Sequence, residues 1–436
     1  MVSRWSMECR LLSAQPAPGF LRRHGLLLAL TLIIVIHAVD RLAIVILLED
    51  IKRDLLLSDA QLGLLSGFAF VALYVVAGIP MAFVSDRSNR SRTIGVALTA
   101  MGGMTMLCGM AQNFLQLVAA RCGLGISASP CVPAAHSIIA DVYPPAQRTT
   151  ALSITESGFF VGSFVGLWVC GWIATDYGWR IAFFAIGMLP LLLGLSVLAW
   201  MRDPVRALRD NKVQLGFRDT MRTIVGVRAV RWYVAGSAFA VFASAGMMTW
   251  LPALMIRSYG MTRTEAGGLI GAINGVGGLI LTIAVGVVAD RLARREARWN
   301  LWIPALLFAA SAPFAAFAFL SHSPAVLIGC FAVAACMITA CSAPIISYSQ
   351  QITPPNVHAM VTASIFLVFN LAGFGLAPLA VGALSDYLAR TGQPEHSLQQ
   401  ALLYLTAPSL VIAALLVFIG GRFEAETSPP PQRAEP

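Results

Sequence analysis

Charged side chains are scarce in this sequence. They make up 12% of the 436 residues, about half of the ~25% that is usual for soluble domains, whereas apolar residues make up 58%. So much apolar surface cannot all be buried in a core of the chain's own, so we expect lipid to solvate much of it. Lysine is nearly absent, and the arginines lie between apolar segments. The net charge of +9 is therefore typical of membrane-protein loops, and it predicts no nucleic-acid partner.

Motifs for catalysis or for metal binding are also missing. The eight cysteines form no C-x-x-C pair, the six histidines are scattered, and all cysteines but Cys9 lie in apolar runs. The sequence contains no H-E-x-x-H, no G-x-S-x-G and no P-loop. We therefore expect no enzyme activity, no metal and no cofactor.

What the sequence has in abundance is long apolar runs. Several reach the ~20 residues that cross a bilayer as a helix, which predicts an all-α membrane protein of twelve transmembrane helices in two six-helix bundles. The predicted domains are a tail (1–24), an N-terminal bundle (25–200), a linker (201–229), a C-terminal bundle (230–421) and a disordered tail (422–436). The predicted spans are 25–48, 60–85, 92–112, 114–140, 148–173, 177–200, 230–256, 264–289, 299–320, 323–349, 357–385 and 398–421.

Basic residues are distributed unevenly between the two sides of these spans. The loops and tails on the side of both termini hold 22 lysines and arginines, and the loops on the other side hold 6. Cytoplasmic loops carry the excess of basic residues. We therefore expect both termini in the cytoplasm and a multi-pass protein of a bacterial inner membrane.

A short charged pattern occurs twice. The chain carries a D-R-x-x-R pattern after span 2, and G-x-x-x-D-R-x-x-R-R after span 8, 204 residues later. Such a repeat is typical of transporters whose halves rock about a shared site. These loops either form a cytoplasmic latch that breaks and re-forms between states or only set topology. The latch candidates are Asp86, Arg87, Arg90, Asp141, Asp290, Arg291 and Arg294.

The second copy resembles the signature of the major facilitator superfamily, and the whole of 25–420 resembles its spinster-like branch. The first copy departs at Ala82, where the signature has glycine, and Ala128 stands where the branch has glutamate. The resemblance implies a monomeric secondary transporter for a small molecule, working by alternating access. It is carried by His37 to Arg41, Ser58 to Gly67, Ala120 to Gly125, Trp250 to Pro252, Thr362 to Ser364, and Asn370.

Two charges lie at one predicted depth inside the first bundle. Asp40 is eight residues before the outer end of span 1, and Arg121 is seven residues into span 4, which places both about 10–12 Å deep. The resemblance implies that spans 1 and 4 line a central cavity. Asp40 and Arg121 are therefore predicted to form an ion pair that breaks and re-forms, or to bind the substrate and a proton. The alternative is a static structural pair. Arg41 either shares this site or extends its side chain outward, and His37 either tunes Asp40 or is structural.

Further candidates lie in span 5 and in the second half. Glu156 in span 5 is a candidate replacement for the carboxylate missing at position 128, although a stripe of Gly158, Gly162 and Gly166 favours close packing of span 5 on span 8. Glu49 and Asp50 lie at an outer boundary and need no function. The second half offers only neutral cavity candidates, which are Trp250, Asn274, Tyr348, Gln350 and Asn370.

A charged half that faces a neutral, aromatic half suits an amphipathic or organic anion. We therefore predict a secondary transporter for such an anion, coupled to protons. The alternative is a non-transporting membrane sensor that keeps the transporter fold.

Overall fold

The structure is a computed structural model, and it describes residues 20–201, 228–293, 295–296, 298–341, 344, 348, 365–392 and 394–427. The described residues form helices joined by short turns, and none of them is in a β-strand. The six helices of the N-terminal half are α1 (Phe20–Leu55), α2 (Asp59–Gly63, Leu64–Phe68 and Ala69–Arg87), α3 (Arg90–Met110), α4 (Phe114–Ala128 and Cys131–Val142), α5 (Pro145–Tyr177) and α6 (Trp179–Trp200).

The C-terminal half has the same order of helices. Its last helix continues six residues beyond the predicted end at 421, and the linker predicted for 201–229 lies mostly outside the described residues. The helices are α7 (Arg228–Tyr259), α8 (Arg263–Ala272, Ile273–Gly277 and Gly278–Ala293), α9 (Trp299–Leu320), α10 (Pro324–Ala340), α11 (Ile365–Thr391) and α12 (Ser397–Thr427).

Eleven of these helices are long and apolar enough to cross a membrane, counted over the described part of the chain. The twelfth, α10, has 17 described residues. These helices match the twelve predicted spans one for one. We call the end of the bundle that carries the α1–α2 turn the distal end, and the opposite end, where α1 begins and α12 finishes, the proximal end.

Helices α2 and α8 show the internal repeat in their backbone. Each begins with a capping box, at Ser58 and at Thr262, in which the cap hydroxyl and the third helical side chain bond each other's backbone N–H. The two caps are 204 residues apart, as are Asp86 and Asp290 at the other ends of the same helices. The two halves therefore repeat this helix from its first cap to its D-R pair.

The halves meet where α5 crosses α8 and where α2 crosses α11. Gly267, Gly271 and Gly275 of α8 lie directly against the backbone of α5, as predicted for a crossing of these spans. The α5 stripe of Gly158, Gly162 and Gly166 faces α1 instead, where a Cβ atom would meet Thr31, Val35 and Val39. The expectation that this stripe packs on span 8 was therefore wrong, because α5 uses separate faces for α1 and α8.

Candidate functional site

The middle of α1 carries the first buried charge. Asp40 is 2% exposed, and one of its carboxylate oxygens is hydrogen-bonded to the hydroxyl of Thr105 on α3. The same hydroxyl lies 3.1 Å from the carbonyl oxygen of Met101. Because a hydroxyl has one proton, it can donate to only one of these acceptors at a time. This contact therefore accommodates Asp40 either as a carboxylate that accepts or as an acid that donates.

Arg121 on α4 is the second buried charge. It is 1% exposed, its Nε donates to the carbonyl oxygen of Leu65 over 3.3 Å, and its guanidinium lies 5.8 Å from the centre of the Phe70 ring. Leu65 belongs to a π-helical turn of α2, Leu64–Phe68, and such turns frequently mark functional sites. One terminal nitrogen of Arg121 is buried without a hydrogen-bond partner among the described residues.

Asp40 and Arg121 lie near enough to interact electrostatically. The ion pairs among the described residues do not include this one, and Asp40 is held by Thr105 instead. In this conformation Asp40 and Arg121 therefore do not form an ion pair, and each is hydrogen-bonded to a neutral group.

Arg41 reaches across to the C-terminal half. Its guanidinium donates to the side-chain oxygen of Asn370 on α11 over 3.1 Å and lies 4.6 Å from the centre of the Phe374 ring. It also lies 5.6 Å from the Phe70 ring, so that Phe70 has a guanidinium of Arg41 and one of Arg121 near it. Arg41 therefore lies between the halves and does not extend outward to the membrane surface.

The other two predicted members of this site lie apart from each other. His37 is buried beside Tyr74, with a ring separation of 6.2 Å, and its Nδ1 has no partner among the described residues. Glu156 on α5 lies 2.6 Å from Nε2 of His136 on α4, and both side chains are about half exposed. His136 is thus a polar partner of Glu156 inside the N-terminal half.

The C-terminal candidates divide into one that reaches the other half and three that do not. Asn370 accepts the bond from Arg41. The indole of Trp250 is completely buried and donates to Pro378 O over 2.9 Å, and Tyr348 is completely buried against Tyr233. Asn274 bonds Ile270 in its own helix. Trp250 and Tyr348 therefore do not line a cavity here, because packing between helices encloses them; Gln350 lies outside the described residues.

A cluster of ion pairs at the distal end was missed by the sequence reasoning. Arg257 of α7 donates to the carboxylate of Glu49 on α1 over 3.1 Å and to that of Asp59 on α2 over 2.9 Å. Arg263 of α8 pairs with Asp50 of α1. We call these five residues the distal ion cluster. Every ion pair that joins the two halves within the described part of the chain belongs to it, so Glu49 and Asp50, expected to need no function, hold the halves together.

Asp386 on α11 adds a second link at the same end. Its two carboxylate oxygens accept the backbone N–H groups of Asp59 and Ala60 over 3.0 and 2.8 Å. The first N–H groups of a helix have no partner within it. The first turn of α2 is therefore capped by a side chain from the other half.

At the proximal end, the ion pairs of the described residues stay within one half. Arg90 of α3 is buried and pairs with Asp141 of α4, and both residues are latch candidates. The side chain of Arg291 is exposed. The side chains of Asp86, Arg87, Asp290 and Arg294 lie outside the described part, so the latch stays a prediction.

Comparison with known proteins places this geometry in a family. The sequence profile of the Major Facilitator Superfamily matches residues 30–378. The chain belongs to this superfamily. It is 32% identical, over 89% of its length and 90% of the relative's, to an MFS-type efflux pump of Mycolicibacterium smegmatis.

Two further relatives place this superfamily member in the spinster-like branch. The sphingosine-1-phosphate transporter SPNS2 of Danio rerio is 24% identical over 90% of the chain and 82% of its own length. The crystal structure of a bacterial homolog of the human lysosomal transporter Spinster, inward-facing and unoccupied, superimposes with a TM-score of 0.82. It shares 26% identity and covers 95% of this chain and 100% of that one. The predicted fold and branch are confirmed, and the protein is a membrane transporter rather than an enzyme.

Proposed function

We propose that this transporter moves an amphipathic organic anion in exchange or symport with protons, through a site formed by Asp40, Arg41 and Arg121. The observation that carries the proposal is the state of Arg121. It is fully buried without a carboxylate partner among the described residues, and one of its terminal nitrogens has no hydrogen bond there. A charge buried in a membrane protein costs about 2.5–3.5 kcal/mol and normally marks a substrate pathway.

The surroundings of Arg121 suit the two ends of such an anion. Guanidinium groups bind carboxylates and phosphates through paired hydrogen bonds, and two guanidiniums flank Phe70. The rings of Phe70, Tyr74 and Phe374 offer apolar surface to the rest of the molecule. The named substrate of one relative, sphingosine-1-phosphate, is an amphipathic anion.

Proton coupling is proposed to run through Asp40. The Thr105 hydroxyl can bond Asp40 in either protonation state. Arg121 is a neighbour of Asp40, and its closer approach would favour the charged form of the carboxylate. An anion that binds the guanidinium of Arg121 competes with Asp40 for this group. Asp40, without the favourable charge of Arg121, then takes up a proton. Glu156 with His136 is the second candidate for the coupling carboxylate.

Proteoliposomes with an imposed pH gradient test this proposal, with a panel of radiolabelled amphipathic carboxylates and phosphates. Asp40→Asn is expected to abolish accumulation against a gradient and to keep downhill exchange, whereas Arg121→Ala weakens substrate binding by at least ~10-fold, the loss of one charge-assisted contact. Asp54→Asn, at an exposed pair within one half, is the matched control. Gradient-driven accumulation by Asp40→Asn would exclude Asp40 and leave Glu156, to be tested as Glu156→Gln.

The orientation is proposed from the bias of 22 basic residues to 6. The proximal end is then cytoplasmic, and the ion pairs across the distal end support an inward-facing assignment, the state of the spinster homolog's crystal structure. Reporter fusions after residues 212 and 425 should both report cytoplasm, and an external signal from either would overturn the orientation.

The latch is part of the same proposal. The repeated D-R pairs stabilise one state and do not touch the substrate, so Arg87→Ala or Asp290→Asn should slow turnover with substrate affinity unchanged. A loss of affinity at unchanged turnover would count against it.

A further inference from the structure

A stack of two rings between two guanidinium groups lies at the proximal end of α9 and α12. The guanidinium of Arg298 lies 4.5 Å from the centre of the Trp302 ring, and that of Arg422 lies 5.1 Å from the Phe418 ring. The two rings stack on each other with centres 5.6 Å apart at an angle of 25°. We call these four residues the arginine–ring stack. Since it joins two helices, it presents two cations at a fixed separation.

The charge of this surface is positive. Arg422 is exposed and has no carboxylate partner in the part of the chain that the structure describes, and Arg298 pairs with its neighbour Glu296. Arg291 in the last turn of α8 and Arg295 in the α8–α9 connection are also exposed. Among the described side chains of these two segments, the carboxylate of Glu296 accompanies the guanidiniums of Arg291, Arg295, Arg298 and Arg422, an excess of positive charge beside the stack.

Below the stack, the surface becomes apolar towards the middle of the membrane. Leu415 and Val411 precede Phe418 on α12 by one and two turns, and they are 57% and 48% exposed. Leu306, one turn after Trp302 on α9, is 60% exposed. Exposed leucines on a membrane helix face acyl chains, so the guanidiniums of the stack lie at the level of the head groups.

We propose that the arginine–ring stack binds the phosphate of an anionic membrane lipid. The phosphodiester lies between Arg298 and Arg422, and the acyl chains follow Leu306, Leu415 and Val411. Arginine suits this role because its planar group stacks on a ring and donates to phosphate at the same time. Basic pockets between membrane helices are known to take such head groups. The proposal does not depend on the substrate or on proton coupling.

Native mass spectrometry of the full chain in detergent tests the proposal. The probes are dioleoyl phosphatidylglycerol and, for comparison, dioleoyl phosphatidylcholine. One phosphatidylglycerol should remain bound where phosphatidylcholine does not. Each Arg→Gln change at the stack should weaken that binding by ~5-fold, and the double variant Arg298→Gln with Arg422→Gln by ~25-fold. Arg231 is an exposed arginine on α7 at the same proximal end of the bundle, so Arg231→Gln is the matched control. Its lipid affinity should stay within about two-fold of that of the unsubstituted protein.

Other variants separate a built site from a generally basic surface. Phe418→Leu keeps both charges and removes one ring, and it should weaken binding by about two- to five-fold, the worth of an exposed cation–π contact. If the double variant does not fold, the binding measured for Phe418→Leu tests the proposal on its own. Glycerol phosphate at millimolar concentration should not displace the lipid, because it lacks the chains. Equal losses in Arg231→Gln and the stack variants, displacement by glycerol phosphate, or unchanged binding in the stack variants would each overturn the proposal.

Discussion

The distal and proximal ends of this transporter use the same kinds of charged side chain for different purposes. At the distal end, Arg257 and Arg263 of the C-terminal half bind carboxylates of the N-terminal half. At the proximal end, the buried pair of Arg90 and Asp141 joins two helices of a single half. Ion pairs between rocking bodies hold one state closed, whereas pairs within a body keep that body rigid. What matters is which helices a pair joins.

Breaking the distal ion cluster should have the largest effect. Asp59 is 2% exposed and accepts from Arg257, Lys52 and Ser385. Removing one partner of a buried ion pair costs about 3–5 kcal/mol, so Asp59→Asn should shift the balance towards a distal-open state by ~100-fold or more. Spin labels at Leu56 and Tyr387, one in each half and both exposed, would report a longer distance. An unchanged distance distribution would show that the cluster does not hold the distal end shut.

Breaking the proximal pair should destabilise a half without opening the distal end. Asp141→Asn removes the carboxylate that pairs with the buried guanidinium of Arg90, at a cost of about 3 kcal/mol. We expect the thermal midpoint to fall by roughly 6–12 °C, while the distance between labels at Leu56 and Tyr387 stays that of the unsubstituted protein. A shift of the label distance would mean that this pair also couples the halves.

Removing the cap that α11 supplies to α2 should have a smaller effect on the distal end. Asp386→Ala deprives two N–H groups of their acceptor, worth about 1 kcal/mol, so the closed state should lose ~5-fold in population. Asp386→Asn is the matched variant, because asparagine also caps helices, and it should lie closer to the unsubstituted protein. If alanine and asparagine behave alike, the cap does not contribute to closure.

A distal ion pair within one half should have the smallest effect. Asp54 pairs with Arg180, both in the N-terminal half and both about 40% exposed. Exposed pairs contribute about 0.2–1 kcal/mol, and this one does not join the halves. Asp54→Asn should therefore leave the label distance unchanged, and opening of the distal end by this variant would contradict the distinction between the two kinds of pair.

The helices were predictable from the sequence and the distal ion cluster was not. Apolar runs long enough to cross a bilayer locate a span without reference to the rest of the chain, which is why the predicted spans and the observed helices correspond. The pairs of the cluster join residues 198 to 213 positions apart, and their meeting depends on how the halves dock. A signal was present, since acidic Glu49, Asp50 and Asp59 and basic Arg257 and Arg263 were all predicted at one end.

The candidate residues of the central site came from the sequence, whereas their contacts could not be predicted from it. The depths of Asp40 and Arg121 were estimated from the helical rise, and both side chains are buried in the structure. The bond from Arg121 to Leu65 depends on a π-helical turn, which adds a single residue to a turn and leaves no clear pattern in hydropathy. Which ring or carbonyl an arginine reaches is decided by such local backbone detail.

The cap on α2 also makes two backbone amide protons sensitive to whether the distal end is closed or open. The amide protons of Asp59 and Ala60 are covered by Asp386 while the distal end is closed, and they lose that cover when α11 moves away. Their exchange with deuterium should then follow the fraction of time spent open, faster with substrate turning over than without. Two unmodified peptide groups would thus report the population of the distal-open state, with no label attached to the protein.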